Sequence, residues 1–286
     1  MNEADFIAAL RQLPLHPGAR GLEDDCAVIE FGGEALVLTH DAMAQGTHFR
    51  PDADLADVAW KLVASNLSDL AAKGAEPIGV LLGYGLGADD KRFIKGLHEA
   101  LNAFEVNLLG GDTVKAQGPR VFGLTAIGKA MHIPVPARGR ASVGDAIYVT
   151  GPLGCAMLGF EGVPEHAKAF NRPHPRIAEG LSLAPHVSAM MDISDGLLLD
   201  CWRMASASYG VAFELKRSTI PVADATRLDE CIRWGDDYEL LFTAPTTVVL
   251  PVPATQIGTV TAADFAPLWL DDEILTPQQG LGFQHG

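Results

Sequence analysis

Six short aspartate-bearing segments, each set in a glycine-, serine- or threonine-containing context, interrupt otherwise ordinary apolar sequence. They are Asp24-Asp25, Thr39-His40-Asp41, Asn66-Leu67-Ser68-Asp69, Gly110-Gly111-Asp112-Thr113, Asp192-Ile193-Ser194-Asp195-Gly196 and Gly235-Asp236-Asp237. If they converge, the cleft they form needs a cation, because like charges about 4 Å apart repel by about 4 kcal/mol even at an effective dielectric near 20. Hard oxygen ligands in such number suit Mg²⁺, which keeps several waters and shares its other positions between carboxylates and substrate phosphates. The chemistry this implies is a metal and phosphate site.

Each segment also has an ordinary structural use. Ser194 or Asp195 can cap a following helix, Gly110-Gly111 can make a turn, Asp24-Asp25 can do the same, and His48 can be a satisfied structural histidine. Two further patterns are set aside. Gly123-Leu124-Thr125-Ala126-Ile127-Gly128-Lys129-Ala130 nearly spells a P-loop, but its last position is Ala130, its interior residues are strand formers, and Pro134 and Pro136 follow where a helix should. Asp52, Asp54 and Asp57 resemble a calcium loop, yet Val63 stands where the closing glutamate is required. A solvated helix start is the better reading there.

The elements that must carry these segments are legible from period. Ala35 to Thr39 reads as a strand leading to Asp41. From Leu55 the apolar positions Val58, Ala59, Leu62, Val63, Leu67 and Leu70 mark an amphipathic helix. Asn66, Asp69 and Lys73 recur on its other face, so Asp69 can point away from the core, and Gly74 and Pro77 end it. A strand from Ile78 to Leu82, a helix from about Asp89 to Glu105, a short buried strand from Val106 to Leu109 and another from Val121 to Ile127 follow. Pro134, Pro136 and Gly139 mark a linker. It divides the chain into residues 1–133 and 134–286. Beyond it we expect strands at Ala146 to Val149, Ala189 to Ile193, Val211 to Leu215, Glu239 to Thr243 and Gln256 to Val260. Helices are expected at Pro152 to Phe160, Pro175 to Ala184 and Leu197 to about Ser208. The mixture is α+β.

Composition bounds the function classes. With 48% hydrophobic residues the chain can bury a large core, so disorder is excluded. A net charge of −15, with no basic patch, disfavours nucleic acid and anionic membrane as partners. It would also repel an anionic substrate such as ATP unless metal ions bridged protein and phosphate. Cys26, Cys155, Cys201 and Cys231 show no paired spacing and read as structural thiols. An acidic N-terminal segment and the lack of a long apolar run lead us to expect a cytoplasmic protein.

In order and wording the six segments resemble the thiamine-monophosphate kinase family, within the superfamily of aminoimidazole-ribonucleotide synthetase-like ATP-binding proteins. The resemblance runs from Leu22 to about Pro245 and includes Gly46-Thr47-His48-Phe49, Trp60-Lys61, Thr150-Gly151-Pro152-Leu153-Gly154 and Gly235-Asp236-Asp237-Tyr238-Glu239-Leu240. It implies a two-domain synthetase-like fold in which the half over 1–133 binds ATP and Mg²⁺ and pairs with a second copy into a dimeric barrel, and the α+β half over 134–286 completes the site. The implied activity is ATP-dependent phosphorylation of thiamine monophosphate to thiamine diphosphate. Carried over by position, Asp25, Asp41, Asp69, Asp112, Asp192 and Asp195 are similar to the family's ligands for several Mg²⁺ ions, Asp112 and Asp195 being also its catalytic positions. Thr39 and His40 lie beside them, and Gly111, Arg138 and Ser194 match nucleotide contacts. His48, Asp236 and Phe283 match positions that face the thiamine phosphate, with Phe283 offering an aromatic surface. Glu23, His40, Trp234 and the tail from Gly282 depart from the family's pattern. A sibling ATP-dependent synthetase or maturation enzyme, or a non-catalytic ATP and metal sensor, would use the same aspartates.

Overall fold

The computed structural model describes residues 3–115, 117–263 and 265–284. The chain is built around two sheets. The first half supplies strands β1 (Ala27–Phe31), β2 (Glu34–Ala44), β3 (Ala75–Gly85), β4 (Asn107–Val114) and β5 (Val121–Ala130), which form one five-stranded sheet in the order β1-β2-β5-β3-β4. Only the β3–β4 pairing is parallel. The second half supplies β6 (Asp145–Val149), β7 (Ala189–Asp192), β8 (Val211–Leu215), β9 (Leu240–Pro245), β10 (Thr255–Ala262), β11 (Leu268–Leu270) and β12 (Glu273–Ile274), in the order β12-β11-β8-β10-β6-β9-β7. The helices are α1 (Glu3–Leu10), α2 (Leu55–Ala71), α3 (Asp90–Ala103), α4 (Cys155–Phe160), α5 (Ala167–Asn171), α6 (Ile177–Leu183), α7 (Leu197–Ala207) and α8 (Leu228–Trp234). Helices on sheets in two successive halves make an α+β fold, as its composition of elements suggests.

Helix α2 is the organising element. Asp54 caps it by accepting from the Ala56 N–H at 2.9 Å, so the Asp52-Asp54-Asp57 run is a helix start. The helix is more than amphipathic, because thirteen of its seventeen residues are buried. Leu62, Val63, Leu67 and Leu70 pack into the first core with Val37, Val80, Phe122 and Leu124 of the sheet. Its other face is covered by the second half. Ala71 and Ala72 join a bridging cluster with Leu183, Met190, Leu240 and Phe242. Close approach there needs small residues: a Cβ on Gly180 of α6 would lie 2.0 Å from the Ala71 carbonyl oxygen.

Two sequence expectations change. The segment expected as a short buried strand from Val106 to Leu109 is the longer edge strand β4, and all eight of its residues are exposed, because no strand flanks its outer edge. Gly110-Gly111-Asp112 therefore lies inside a strand and not at its end. Both glycines have positive φ, and a Cβ on Gly111 would lie 1.9 Å from the Leu82 carbonyl oxygen, so the register against β3 requires glycine there. Neither Ser194 nor Asp195 caps α7: its N-cap is Gly196, and the buried Asp200 side chain accepts instead from the Ser194 and Asp195 N–H groups. The P-loop-like stretch from Gly123 to Ala130 belongs to the continuous strand β5.

Candidate active site and metal centre

A cavity of about 630 Å³ opens between the end of β2, one face of α2 and the loops that follow β7 and α8. Helix period explains what α2 contributes. Lys61, Ser65 and Asp69 are four residues apart, so they share one face, and all three line the cavity. Asn66 ties helix to strand, its Oδ1 accepting from the Asp41 N–H at 3.0 Å. Alternation along β2 then puts Thr39 and Asp41 on the helix side and His40 on the opposite face. The Thr39 hydroxyl donates to Asp69. His40 lies over Gly123, where a Cβ would meet its ring at 3.0 Å, and shares a 2.8 Å hydrogen bond with Thr125 Oγ1. Glycine at 123 is what admits the imidazole.

The second half closes the cavity with Asp192, Ser194, Asp195 and Asp236. Their loops are interlocked through backbone. The Asp236 N–H donates to the Ser194 carbonyl at 2.8 Å, and the Tyr238 N–H to Ile193 at 2.9 Å. Asp236 sits at φ 57°, and its carboxylate accepts from Lys61 Nζ at 2.6 Å and the Tyr238 hydroxyl at 3.0 Å. Its neighbour Asp237 serves structure instead, accepting from the Gly154 N–H at 2.9 Å. The tail enters here too, the Phe283 N–H donating to the Asp195 carbonyl at 2.9 Å.

Electrostatics divide the cavity. Its lining carries five carboxylates, Asp41, Asp69, Asp192, Asp195 and Asp236, against two fixed cations, Arg50 and Lys61. Lys61 is engaged by Asp236, and Arg203 pairs with Asp195. Asp41, Asp69 and Asp192 have no ion-pair partner among the described residues. Burial, then the charges of Asp41 and Asp192, push Asp69 well above the usual carboxylate range. Burial, then Asp25, pushes Asp192 up to about 8, and burial raises Asp41 as well. Carboxyl oxygens of Asp25, Asp69 and Asp192 lie within 4.8 Å of one another. Hard oxygens, close spacing and uncompensated charge together fit a divalent cation of the Mg²⁺ type.

Asp25 differs from its neighbours. Burial would raise it, but Arg138 and Lys73 hold it well below the usual range. Arg138 Nη2 donates to Asp25, and its Nε is buried without a hydrogen-bond partner among the described residues.

The opposite end of the cavity is aromatic. Phe160 packs against Phe170 and Trp234 with centroids 5.2 and 5.1 Å apart. The Arg50 guanidinium lies 4.3 Å over the Phe160 ring, and Lys61 Nζ 4.0 Å over Phe170. His48 and Phe283 line the same space, and His48 Nδ1 accepts from the Ala44 N–H at 3.0 Å. Such a wall suits a planar, electron-poor ring.

Of the residues singled out in the sequence, the structure brings His40, Asp41, His48, Asp69, Asp192, Ser194, Asp195, Asp236 and Phe283 to one cavity. Asp25, Thr39 and Arg138 adjoin it through Asp69 and the acidic cluster. Gly111 and Asp112 are not brought in. They lie on β4, separated from β2 by β5 and β3, about 14 Å away at ordinary strand spacing. Lys61, Arg50, Phe160, Phe170 and Arg203 were not anticipated as site residues. The four-residue spacing of Lys61, Ser65, Asp69 and Lys73 is the one signal that could have found a member of that set.

Comparison with known proteins bears on the same residues. Residues 23–130 match the AIR synthase related protein N-terminal domain, and 142–263 the corresponding C-terminal domain. Thiamine-monophosphate kinase of Escherichia coli (strain K12) is 33% identical over 85% of this chain and 84% of its own. That of Caulobacter vibrioides is 33% identical over 100% of this chain and 91% of its own. The solved structure of AaThiL complexed with AMPPCP and TMP has a TM-score of 0.88 at 25% identity, covering 100% of this chain and 97% of that one. With both domain families matched in order and such relatives aligned along most of their length, the chain belongs to the AIR synthase related family and, within it, to the thiamine-monophosphate kinases.

Proposed function

We propose that the chain is a thiamine-phosphate kinase that transfers a phosphoryl group from ATP to thiamine monophosphate, giving thiamine diphosphate and ADP. The observation that carries this reading is a single cavity with the unpaired carboxylates Asp41, Asp69 and Asp192 at one end and an aromatic wall at the other. Arg50 and Lys61, which lie over the rings of that wall, are the cations a phosphate acceptor needs. The acceptor is itself a phosphate monoester with a second pKa of about 6, so it reaches the site ionised and no side chain has to remove a proton. The chain's task is alignment and charge balance.

Several Mg²⁺ ions held by Asp25, Asp41, Asp69, Asp192 and Asp195 would neutralise the phosphates and stabilise the attacking and leaving oxygens. Thr39 orients Asp69, and Arg203 orients Asp195. His40, Ser194 and Arg138 are assigned to the nucleotide. His48, Asp236 and Phe283 are assigned to thiamine monophosphate, with Phe160, Phe170 and Trp234 added as the ring-binding wall.

Gly111 and Asp112 need a different geometry, and the edge they occupy suggests it. Strand β4 exposes Leu108, Leu109 and Val114 at 48, 51 and 54%, an open apolar edge of the kind that proteins cover. We assign it to a second copy, so that the halves over 1–133 pair and Asp112 serves its site across the interface. The half over 134–286 completes each cavity. No described helix is long and apolar enough to cross a membrane, and a cytoplasmic location, with its ATP and Mg²⁺, suits the reaction. Incubation with ATP, Mg²⁺ and thiamine monophosphate, followed by mass spectrometry, tests the reading. Thiamine diphosphate and ADP in equal amounts support it. ADP without thiamine diphosphate points to a sibling activity, and bound nucleotide with no product to a sensor.

A further inference from the structure

Lys73 follows the last turn of α2, four residues beyond Asp69, and is fully buried. Its ammonium reaches Asp24 Oδ1 at 2.5 Å, Asp25 Oδ2 at 2.6 Å and the Met190 carbonyl oxygen at 3.2 Å. Those three acceptors match its three N–H donors. Arg20 binds the other oxygen of Asp24 at 2.5 Å and, with 2.9 and 3.1 Å bonds, the carbonyls of Pro136 and Val135. Arg138 binds the other oxygen of Asp25. The Asp24-Asp25 pair is thus surrounded by three fixed cations, while Asp41, Asp69 and Asp192 have no ion-pair partner among the described residues.

We propose that Lys73 is a built-in cation, supplying on the Asp24-Asp25 side of the centre the charge that a divalent ion would otherwise bring. Divalent ions then collect on the Asp41, Asp69 and Asp192 side. Asp25 still faces that side, since each of its oxygens has lone-pair capacity beyond its single bond to a cation, but with three cations on two carboxylates the Asp24-Asp25 corner carries no net negative charge before any ion arrives. Buried acceptors left without a donor are costly, so the ammonium, which bonds Asp24 Oδ1, Asp25 Oδ2 and the Met190 carbonyl oxygen, also lets this corner fold in the absence of metal. Lys73 is a positioning residue: it acts on Asp25 and, through the Met190 carbonyl, on the strand that ends in Asp192. The inference rests on the reading of the acidic cluster as a divalent-ion site.

The test counts Mn²⁺ bound per chain by electron paramagnetic resonance, on the full chain stripped with chelator and without nucleotide. Lys73→Met is expected to bind one Mn²⁺ more than the parent, and Lys73→Arg, which keeps the charge, the parental number. An unchanged count in folded Lys73→Met overturns the proposal. If Lys73→Met unfolds in chelator, circular dichroism decides: refolding on added Mn²⁺ supports a cation-for-cation exchange, and persistent unfolding overturns it. Asp69→Asn separates the two readings. If it loses no Mn²⁺, the metal centre itself is wrong, whereas loss there beside an unchanged Lys73→Met count removes only the role of Lys73.

Discussion

At the scale of single residues, the site is a contrast between paired and unpaired carboxylates. Asp25, Asp195 and Asp236 are held by cationic side chains, while Asp41, Asp69 and Asp192 have no ion-pair partner among the described residues. Asp69→Asn and Asp195→Asn are each expected to lower kcat at saturating ATP by more than the roughly 10–100-fold typical of an outer-shell partner, with an unchanged melting temperature. Near-parental turnover in either variant removes that residue from the mechanism. His48 belongs to the aromatic end of the cavity, so His48→Ala should raise KM for thiamine monophosphate well beyond any change in KM for ATP. A selective rise in the ATP KM would reassign it to the nucleotide side.

At the scale of elements, α2 decides the geometry because it touches both halves. Its N-terminal cap and its C-terminal contact with α6 are separable. Asp54→Ala removes the bond to the Ala56 N–H and the ion pair with Arg92, and should cost about 1 kcal/mol of stability by denaturant titration. Gly180→Ala places a methyl against the Ala71 carbonyl, where backbone meets backbone. Overpacking of this kind costs about 1–3 kcal/mol. Because that contact sets how the second half lies on α2, the variant should also weaken the apparent affinity for Mg²⁺, measured as a rise in the Mg²⁺ concentration needed for half-maximal rate. A stability loss with no change in Mg²⁺ requirement would show that α6 supports the fold without tuning the site.

At the scale of the whole molecule, the question is whether one chain is enough. Strand β4 carries Asp112 at an apolar edge, with two strands between it and the strand that carries Asp41. If a second copy covers that edge, Asp112→Asn and Asp195→Asn are inactive alone yet complement when mixed. One intact site then forms in each mixed dimer, restoring about a quarter of parental activity for random pairing. No recovery on mixing would mean that both residues act within one chain, or that Asp112 does not act at all. Leu109→Lys should shift sedimentation from dimer to monomer, with activity falling in parallel.

The sequence by itself determined the elements whose period is local and strong. Leu55 to Leu70 repeats its apolar positions over four turns, and β5 could be told from a P-loop because β-forming residues and prolines contradict a helix after Lys129. The resemblance carried by the order and wording of its segments also pointed to Asp25, Asp41, Asp69, Asp192 and Asp195, which the structure brings to or beside one cavity. Only the tertiary structure decided which carboxylates are already neutralised. Lys73 meets Asp24 and Asp25 across some fifty residues of chain and Arg138 meets Asp25 across more than a hundred, and no local period encodes such pairings. The same holds for the wall of Phe160, Phe170 and Trp234, whose rings come from separate short helices, and for β4, whose exposure depends on its place at the edge of a sheet. Secondary structure is set by neighbours along the chain, but charge compensation and edge position are set by neighbours in space.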